Sequence, residues 1–152
     1  MIIHILNSQE KKEIEGKLFD QFGIQKLPQT LIRTGKERIK LFTGDITTRE
    51  LEILGRITHI EGIGLYIMKE ESGDIRLSIE GSQIFSDQIK KNIFQLNEQQ
   101  LKEWMQGADL QMQNDERGTF IIKYKDDFIG SGKKSAEKIS NFIPKGRRIR
   151  PS

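Results

Sequence analysis

The last third of the chain, residues 117–152, combines short strand-like runs with a high density of positive charge. Two apolar runs, 119–124 and 128–133, flank an Asp-Asp turn, and a third follows at 139–143. This segment has ten basic and three acidic residues, a net charge of +7, whereas the 116 residues before it have fifteen basic and nineteen acidic residues, a net charge of −4. An acidic front part is therefore joined to a basic, strand-rich end, and that asymmetry favours a polyanionic partner.

The first 23 residues predict a strand followed by a capped helix. Residues 1–6 are apolar but too few to span a membrane, and they lack the flanks of a signal peptide. We therefore expect these residues to form the first strand. We also expect the protein to be cytoplasmic and to have no membrane partner. Asn7 and Glu10 have the spacing of a capping box, and Gly23 stands where a glycine would end the helix.

The next segment predicts two hairpins with a helix between them. Strand-like runs at 30–34 and 38–42 are separated by a glycine-containing turn, and a second pair lies at 64–68 and 75–79. Between the hairpins, residues 47–55 have a second capping box and a closing glycine, which predicts a helix.

A charged break at residues 90–92 predicts a domain boundary, with a first domain at 1–90 and a second at 91–152. The second domain starts with a strand at 93–96 and a helix over 97–107. The fold class is therefore α+β, an N-terminal α+β domain followed by a mainly β domain. The remaining predictions are a loop at 111–118 and a turn or short helix at 135–138.

Catalytic signatures are weak in this sequence. The chain has no cysteine, which excludes disulfides, thiolate zinc sites and cysteine nucleophiles. His4 and His59 have no third ligand at a recognisable metal spacing, and neither Gly62-x-Gly64 nor Gly130-x-Gly132 continues into a phosphate-binding loop. A small hydrolase or transferase would need a clustered acid–base pair, which the sequence does not display. We expect no catalytic residue, no metal and no cofactor.

The basic end is the strongest functional signal. The planar guanidinium of arginine suits phosphate oxygens, and neutralisation of a nucleic-acid backbone gives affinity that does not depend on sequence. Strand alternation places Lys123 and Lys125 on one face of their strand. The alternative is a charged tail that only keeps the protein soluble. The cations that form the predicted surface are Lys123, Lys125, Lys133, Lys134, Lys145, Arg147, Arg148 and Arg150.

The aromatic residues of the second domain have two possible roles. They can stack on unpaired bases, as in RNA-binding sheets, or pack in the core. Their periodicity favours the core for most of them, and the single tryptophan, Trp104, is the best core anchor. Tyr124, between two lysines, is the best candidate for stacking. The residues in question are Trp104, Phe120, Tyr124, Phe128 and Phe142.

The same end of the chain resembles a PUA domain, the RNA-binding module named for pseudouridine synthases and archaeosine transglycosylases. It is most similar to the version attached to archaeal RNA 5-methylcytosine methyltransferases of the Nol/Nop/Sun type, over about residues 91–152. The matching stretches are Gly118-Thr-Phe-Ile-Ile-Lys-Tyr-Lys-Asp-Asp-Phe-Ile-Gly-Ser-Gly-Lys133, Asn141-Phe-Ile-Pro-Lys-Gly-Arg-Arg148 and Trp104-x-x-Gly107-x-Asp109-Leu110.

The resemblance implies a small pseudo-barrel that binds structured RNA through backbone contacts and shape. In such modules a glycine-containing turn lets the RNA backbone approach closely, so Gly130, Gly132 and Lys133 become candidate RNA contacts. The front part, at 62–66 and 74–82, resembles the pre-PUA domain of the Nip family of large-subunit ribosome-biogenesis factors. The catalytic cysteines of the methyltransferases are missing, so the chain is similar to their RNA-binding portion alone.

These observations predict a non-catalytic RNA-binding protein that recognises structured RNA, either rRNA or tRNA. It would act in ribosome biogenesis or as a targeting module for RNA modification, beside a modification enzyme or pre-ribosomal proteins. The alternative is a protein-interaction adaptor whose acidic N-terminal domain docks a partner, with the basic tail incidental. The predicted RNA-binding residues are Lys123, Tyr124, Lys125, Gly130, Gly132, Lys133, Lys134, Lys145, Arg147, Arg148 and Arg150.

Overall fold

The computed structural model describes residues 3–28, 30–42, 49–50, 53 and 64–150. Most of the helix predicted at 47–55, together with His59 and Gly62, lies outside the described residues. Within those ranges the chain forms two five-stranded sheets with helices packed on them, which confirms the α+β class. No helix among these residues is long and apolar enough to cross a membrane.

The first sheet is an antiparallel meander in chain order, and it contains both predicted hairpins. Its strands are β1 (Ile3–Ile5), β2 (Leu31–Thr34), β3 (Arg38–Leu41), β4 (Leu65–Glu71) and β5 (Asp74–Leu77). Residues 49, 50 and 53 are helical. The other helices among the described residues are α1 (Ser8–Phe22), α2 (Ile79–Ile84) and α3 (Glu98–Met105), with a 3₁₀ helix at Lys145–Arg147.

Helix α1 forms as its sequence predicts. The Asn7 side chain accepts a hydrogen bond from the Glu10 backbone N–H at 2.9 Å, and the Glu10 carboxylate accepts one from the Asn7 backbone N–H at 3.1 Å. Gly23 ends the helix with a φ of 78°, a left-handed conformation that glycine adopts without steric cost. The apolar side of the helix is buried against the first sheet through Ile14, Leu18 and Phe22.

The second sheet has the order β6-β8-β9-β10-β7, with β6 parallel to β8 and the other pairs antiparallel. Around it lies a second apolar cluster centred on Trp104, which is fully buried as a core anchor. The strands are β6 (Ile93–Gln95), β7 (Leu110–Gln111), β8 (Gly118–Tyr124), β9 (Asp127–Lys134) and β10 (Lys138–Asn141).

The two sheets share one core. The largest apolar cluster contains α1 and first-sheet residues together with Ile121 and Phe128 of the second sheet. A hydrogen bond also joins them, since the Ser131 hydroxyl donates to the Leu77 carbonyl at 2.9 Å. The hydroxyl of Ser82 in α2 accepts from the Gly130 N–H at 3.0 Å and ties that helix to the second sheet. The domain boundary at residues 90–92 stays a prediction, but the sheets on its two sides are packed against each other.

Two local predictions for the second domain were wrong. Leu110–Gln111 pairs with β10 as a strand, so the predicted loop begins one residue later. For residues 135–138, where a turn or a short helix was predicted, the chain bends into β10 without a helix. The pairing of β8 with β9 shifts register between Ile121 and Lys123, and both Ile121 and Ile122 are buried. Lys125 lies in the turn with a φ of 52°, so it does not share a strand face with Lys123.

Candidate nucleic-acid interface

An arginine–aromatic stack lies where the two sheets meet. Arg76 projects from β5 in the first sheet, and Phe142 follows β10 in the second. The guanidinium carbon of Arg76 lies 3.8 Å from the centroid of the Phe142 ring. At that distance the cation is attracted by the negative face of the ring, so the stack holds two segments 66 positions apart in the sequence.

A cavity of about 250 Å³ opens beside this stack. Arg76 and Phe142 line it with apolar side chains from both sheets, and Tyr66 and Arg147 also contribute to its wall. Arg147 forms an ion pair with Glu80 of α2, and both side chains are partly exposed. The guanidinium carbon of Arg38 lies 5.2 Å from the centroid of the Tyr66 ring, which gives the region a second cation–aromatic contact.

A smaller depression lies on the other side of the same stack. Arg76 and Phe142 line it as well, together with the exposed Lys133 of β9. Glu71 and Asp74 also border it, so its charges are balanced. We call Arg38, which stacks on Tyr66, together with five residues that line the two cavities the cleft face: Arg38, Tyr66, Arg76, Lys133, Phe142 and Arg147.

Two of the sequence-predicted residues, Lys133 and Arg147, therefore border the same stack. Lys145 is exposed in the same short 3₁₀ helix as Arg147. Arg150 is exposed beside α3, where it lines an open groove with Lys102 and Met105. The basic tail therefore has cations at two separate surface sites, one beside the stack and one beside α3.

The predicted residues at the β8–β9 turn lie apart from the cleft face. Tyr124 pairs with Asp127 at the turn, and Lys133 lies six positions further along β9, about 20 Å at the rise of an extended strand. Tyr124 is half-buried against the second-sheet cluster. The ammonium of Lys125 lies 5.5 Å from the Tyr124 ring, and that of Lys123 lies 5.0 Å from the Phe128 ring.

Gly130 and Gly132 are buried within β9, and the turn lies before them in the chain. A Cβ atom on Gly132 would lie 2.5 Å from an Ile139 methyl carbon and 2.8 Å from the Trp104 ring. Gly130 has a φ of 97°, and its Cβ would lie 3.3 Å from Ile79. Close packing within the protein requires both glycines, so the structure does not support the predicted approach of an RNA backbone at these positions.

Lys134 and Arg148 both donate hydrogen bonds to the protein's own backbone. Lys134 is only 2% exposed, and its ammonium donates to the Ser135 carbonyl. Arg148 donates from Nε to the Ile143 carbonyl at 3.1 Å, and its side chain covers Gly107 so closely that a Cβ there would lie 2.6 Å from Arg148 Cδ. That these two cations face RNA stays a prediction, and each donates a hydrogen bond to a backbone carbonyl within the fold.

Residues 91–149 match the family model described as the PUA domain of the methyltransferase RsmF. The chain contains a PUA domain. This confirms the predicted similarity to the PUA region of RNA 5-methylcytosine methyltransferases, and the domain is a non-catalytic RNA-binding module. Comparison with curated proteins gave no match. The resemblance of the front part to a pre-PUA domain stays a prediction.

Within the PUA domain, Asp109 fixes the end of β10 just before the stacked Phe142. Its carboxylate accepts from the Asn141 backbone N–H at 2.8 Å and from the Lys138 ammonium at 3.0 Å. The backbone hydrogen bond, with the help of Lys138, lowers the pKa of Asp109 below its usual value despite partial burial. The Asn141 side chain donates to the Trp104 carbonyl at 2.7 Å, so this cluster ties the strand end to α3.

Sequence reasoning missed the residues that the first sheet adds to the PUA domain, namely Arg38, Tyr66 and Arg76. The alternation Asp74-Ile75-Arg76-Leu77, with Ile75 and Leu77 buried, does place Arg76 outward. Nothing local in the sequence indicates that Phe142 lies against it.

Proposed function

We propose that this chain is a non-catalytic RNA-binding protein that recognises structured RNA, either rRNA or tRNA, through the cleft face. The observation that carries the proposal is the stack of Arg76 on Phe142, flanked by Lys133 and Arg147 of the PUA domain. Exposed cations can contact phosphates, and the aromatic groups offer flat surfaces for bases. A surface built from both sheets suits a folded RNA, because packing of the sheets holds the side chains that would contact the RNA at fixed distances from one another.

The ion pairing of the basic residues in the PUA domain also supports RNA binding. Lys133 and Lys145 are exposed and have no ion-pair partner among the described residues. They can therefore neutralise phosphates without breaking an existing contact. Arg147 is paired with Glu80, but an exposed pair of this kind contributes only about 0–1 kcal/mol and can exchange for a phosphate.

For the cellular role, we propose that the protein acts in ribosome biogenesis or as a targeting module for RNA modification, in the cytoplasm. The methyltransferase origin of the matched PUA family supports a place beside a modification enzyme. The resemblance of the front part to Nip-family factors supports pre-ribosomal proteins as partners.

Fluorescence anisotropy with labelled, folded rRNA and tRNA fragments at several salt concentrations tests the binding proposal. We expect affinity to fall as salt rises, and Lys133→Gln to reduce the slope of log K against log salt by about one. Lys12→Gln, which removes the same charge from an exposed position on α1, is the matched control and should leave the slope unchanged.

Binding that ignores salt, or an equal effect of the two lysine substitutions, would contradict the proposal. A pull-down before and after nuclease treatment separates the adaptor alternative. Protein partners that persist after nuclease and do not require Lys133 would favour the adaptor.

A further inference from the structure

The cavity beside the Arg76–Phe142 stack is small and enclosed by groups from both sheets. At about 250 Å³ it is below the roughly 300–1,000 Å³ typical of pockets for drug-sized ligands. It therefore has room for one ring system and not for a run of nucleotides.

The lining suits a flat ring with polar edges. Leu77, Ile79, Ile129 and Ile143 supply apolar contact, and the aromatic rings of Tyr66 and Phe142 also face the cavity. An unpaired nucleobase needs this combination, because its faces stack on apolar and aromatic groups while its edges form hydrogen bonds.

The polar groups of the cavity can serve such edges. The Arg147 guanidinium offers donors and the Glu80 carboxylate offers acceptors, and their side chains are 48% and 31% exposed. Hydrogen-bonding capacity at this pair therefore remains open to a ligand. The Arg76 guanidinium is already stacked on Phe142, so its plane can extend the stacking surface.

We propose that this cavity holds a single unpaired nucleobase of the RNA bound on the cleft face. The inference rests on the proposed function and adds to it a preference for RNA in which one base is free of pairing. Phe142 is the stacking residue, and the Glu80–Arg147 pair contacts the base edge.

Two RNA hairpins with the same stem test the inference, one fully paired and one with a single bulged 2-aminopurine. We expect the wild-type protein to bind the bulged hairpin about tenfold more tightly, because only this hairpin has an unpaired base that can stack in the cavity. The 2-aminopurine fluorescence should fall on binding as the base stacks.

Phe142→Leu should weaken binding of the bulged hairpin about tenfold more than binding of the paired hairpin, so that the preference is lost. Phe19→Leu, the same substitution at an exposed position on α1, should preserve the preference. Arg76→Gln serves as the second variant, and it should reduce both the preference and the fluorescence change. Thermal unfolding of each variant checks that it is folded.

Equal binding of the two hairpins by the wild type would overturn this inference and leave the proposed function standing. An equal loss on both hairpins for Phe142→Leu would overturn it as well. Failure to bind either hairpin, or any other folded RNA, would overturn the proposed function itself.

Discussion

Arg147 and Arg148 are neighbours in the sequence, but the structure assigns them different roles. Replacing each one separately distinguishes a role in RNA binding from a role in stability. Arg148 donates to the Ile143 carbonyl at 3.1 Å, and hydrogen bonds from charged groups contribute about 1.5–3 kcal/mol. Arg147 forms a partly exposed pair with Glu80, worth about 0–1 kcal/mol. We expect Arg148→Gln to lower the free energy of unfolding by about 2 kcal/mol and Arg147→Gln by less than 1 kcal/mol.

Urea unfolding monitored by the fluorescence of the single, fully buried tryptophan measures this difference. With a slope of about 2 kcal/mol per molar urea, Arg148→Gln should lower the midpoint by about 1 M, and Arg147→Gln by less than half of that. When RNA binding is measured under conditions where both variants are folded, Arg147→Gln should have the larger effect. Arg147→Gln should reduce the salt slope by about one, and Arg148→Gln should leave it unchanged.

Equal midpoints for the two variants would refute the structural role of Arg148. A reduced salt slope for Arg148→Gln without any loss of stability would show that its guanidinium faces the RNA, as the charge pattern alone predicts.

Two further substitutions test the packing that positions the stack. The pKa of Asp109 is lower in the folded state than in the unfolded state, so its carboxylate stabilises the fold above the unfolded pKa of about 3.9. That stabilisation is lost as the pH falls through the folded-state pKa. Asp109→Asn should therefore be less stable than wild type at pH 7, and the gap in urea midpoint should narrow below about pH 4; a constant gap would contradict this. Gly132→Ala places a Cβ 2.8 Å from the tryptophan ring and should cost about 1–3 kcal/mol by overpacking, measured by thermal unfolding. Gly146→Ala, where a Cβ meets nothing within 4 Å, is its control, and equal melting temperatures would count against the packing argument.

Local sequence was sufficient for most of the helices and strands. The capping boxes that begin at Asn7 and Asn97 form in the structure, because both partners of each lie within four consecutive residues. The glycine at position 23 likewise ends its helix through a backbone preference of its own. The PUA resemblance was also visible in the sequence, since its motif residues keep their order and spacing.

The burial of both Ile121 and Ile122 was not predictable in this way. The two side chains lie in different core clusters, because successive residues of a strand point to opposite faces of the sheet and both faces are covered here. Only the packing of two sheets around the same strand requires two successive buried residues.

The sequence by itself determined the local elements, the concentration of positive charge and the PUA domain, because each depends on residues close together in the chain. The tertiary structure alone decided which cations of that basic end face outward. It buried Lys134, bonded Arg148 to the fold and brought Arg76 onto Phe142. The physical reason is that burial and stacking depend on contacts between distant segments, and the charge of a residue does not specify those contacts.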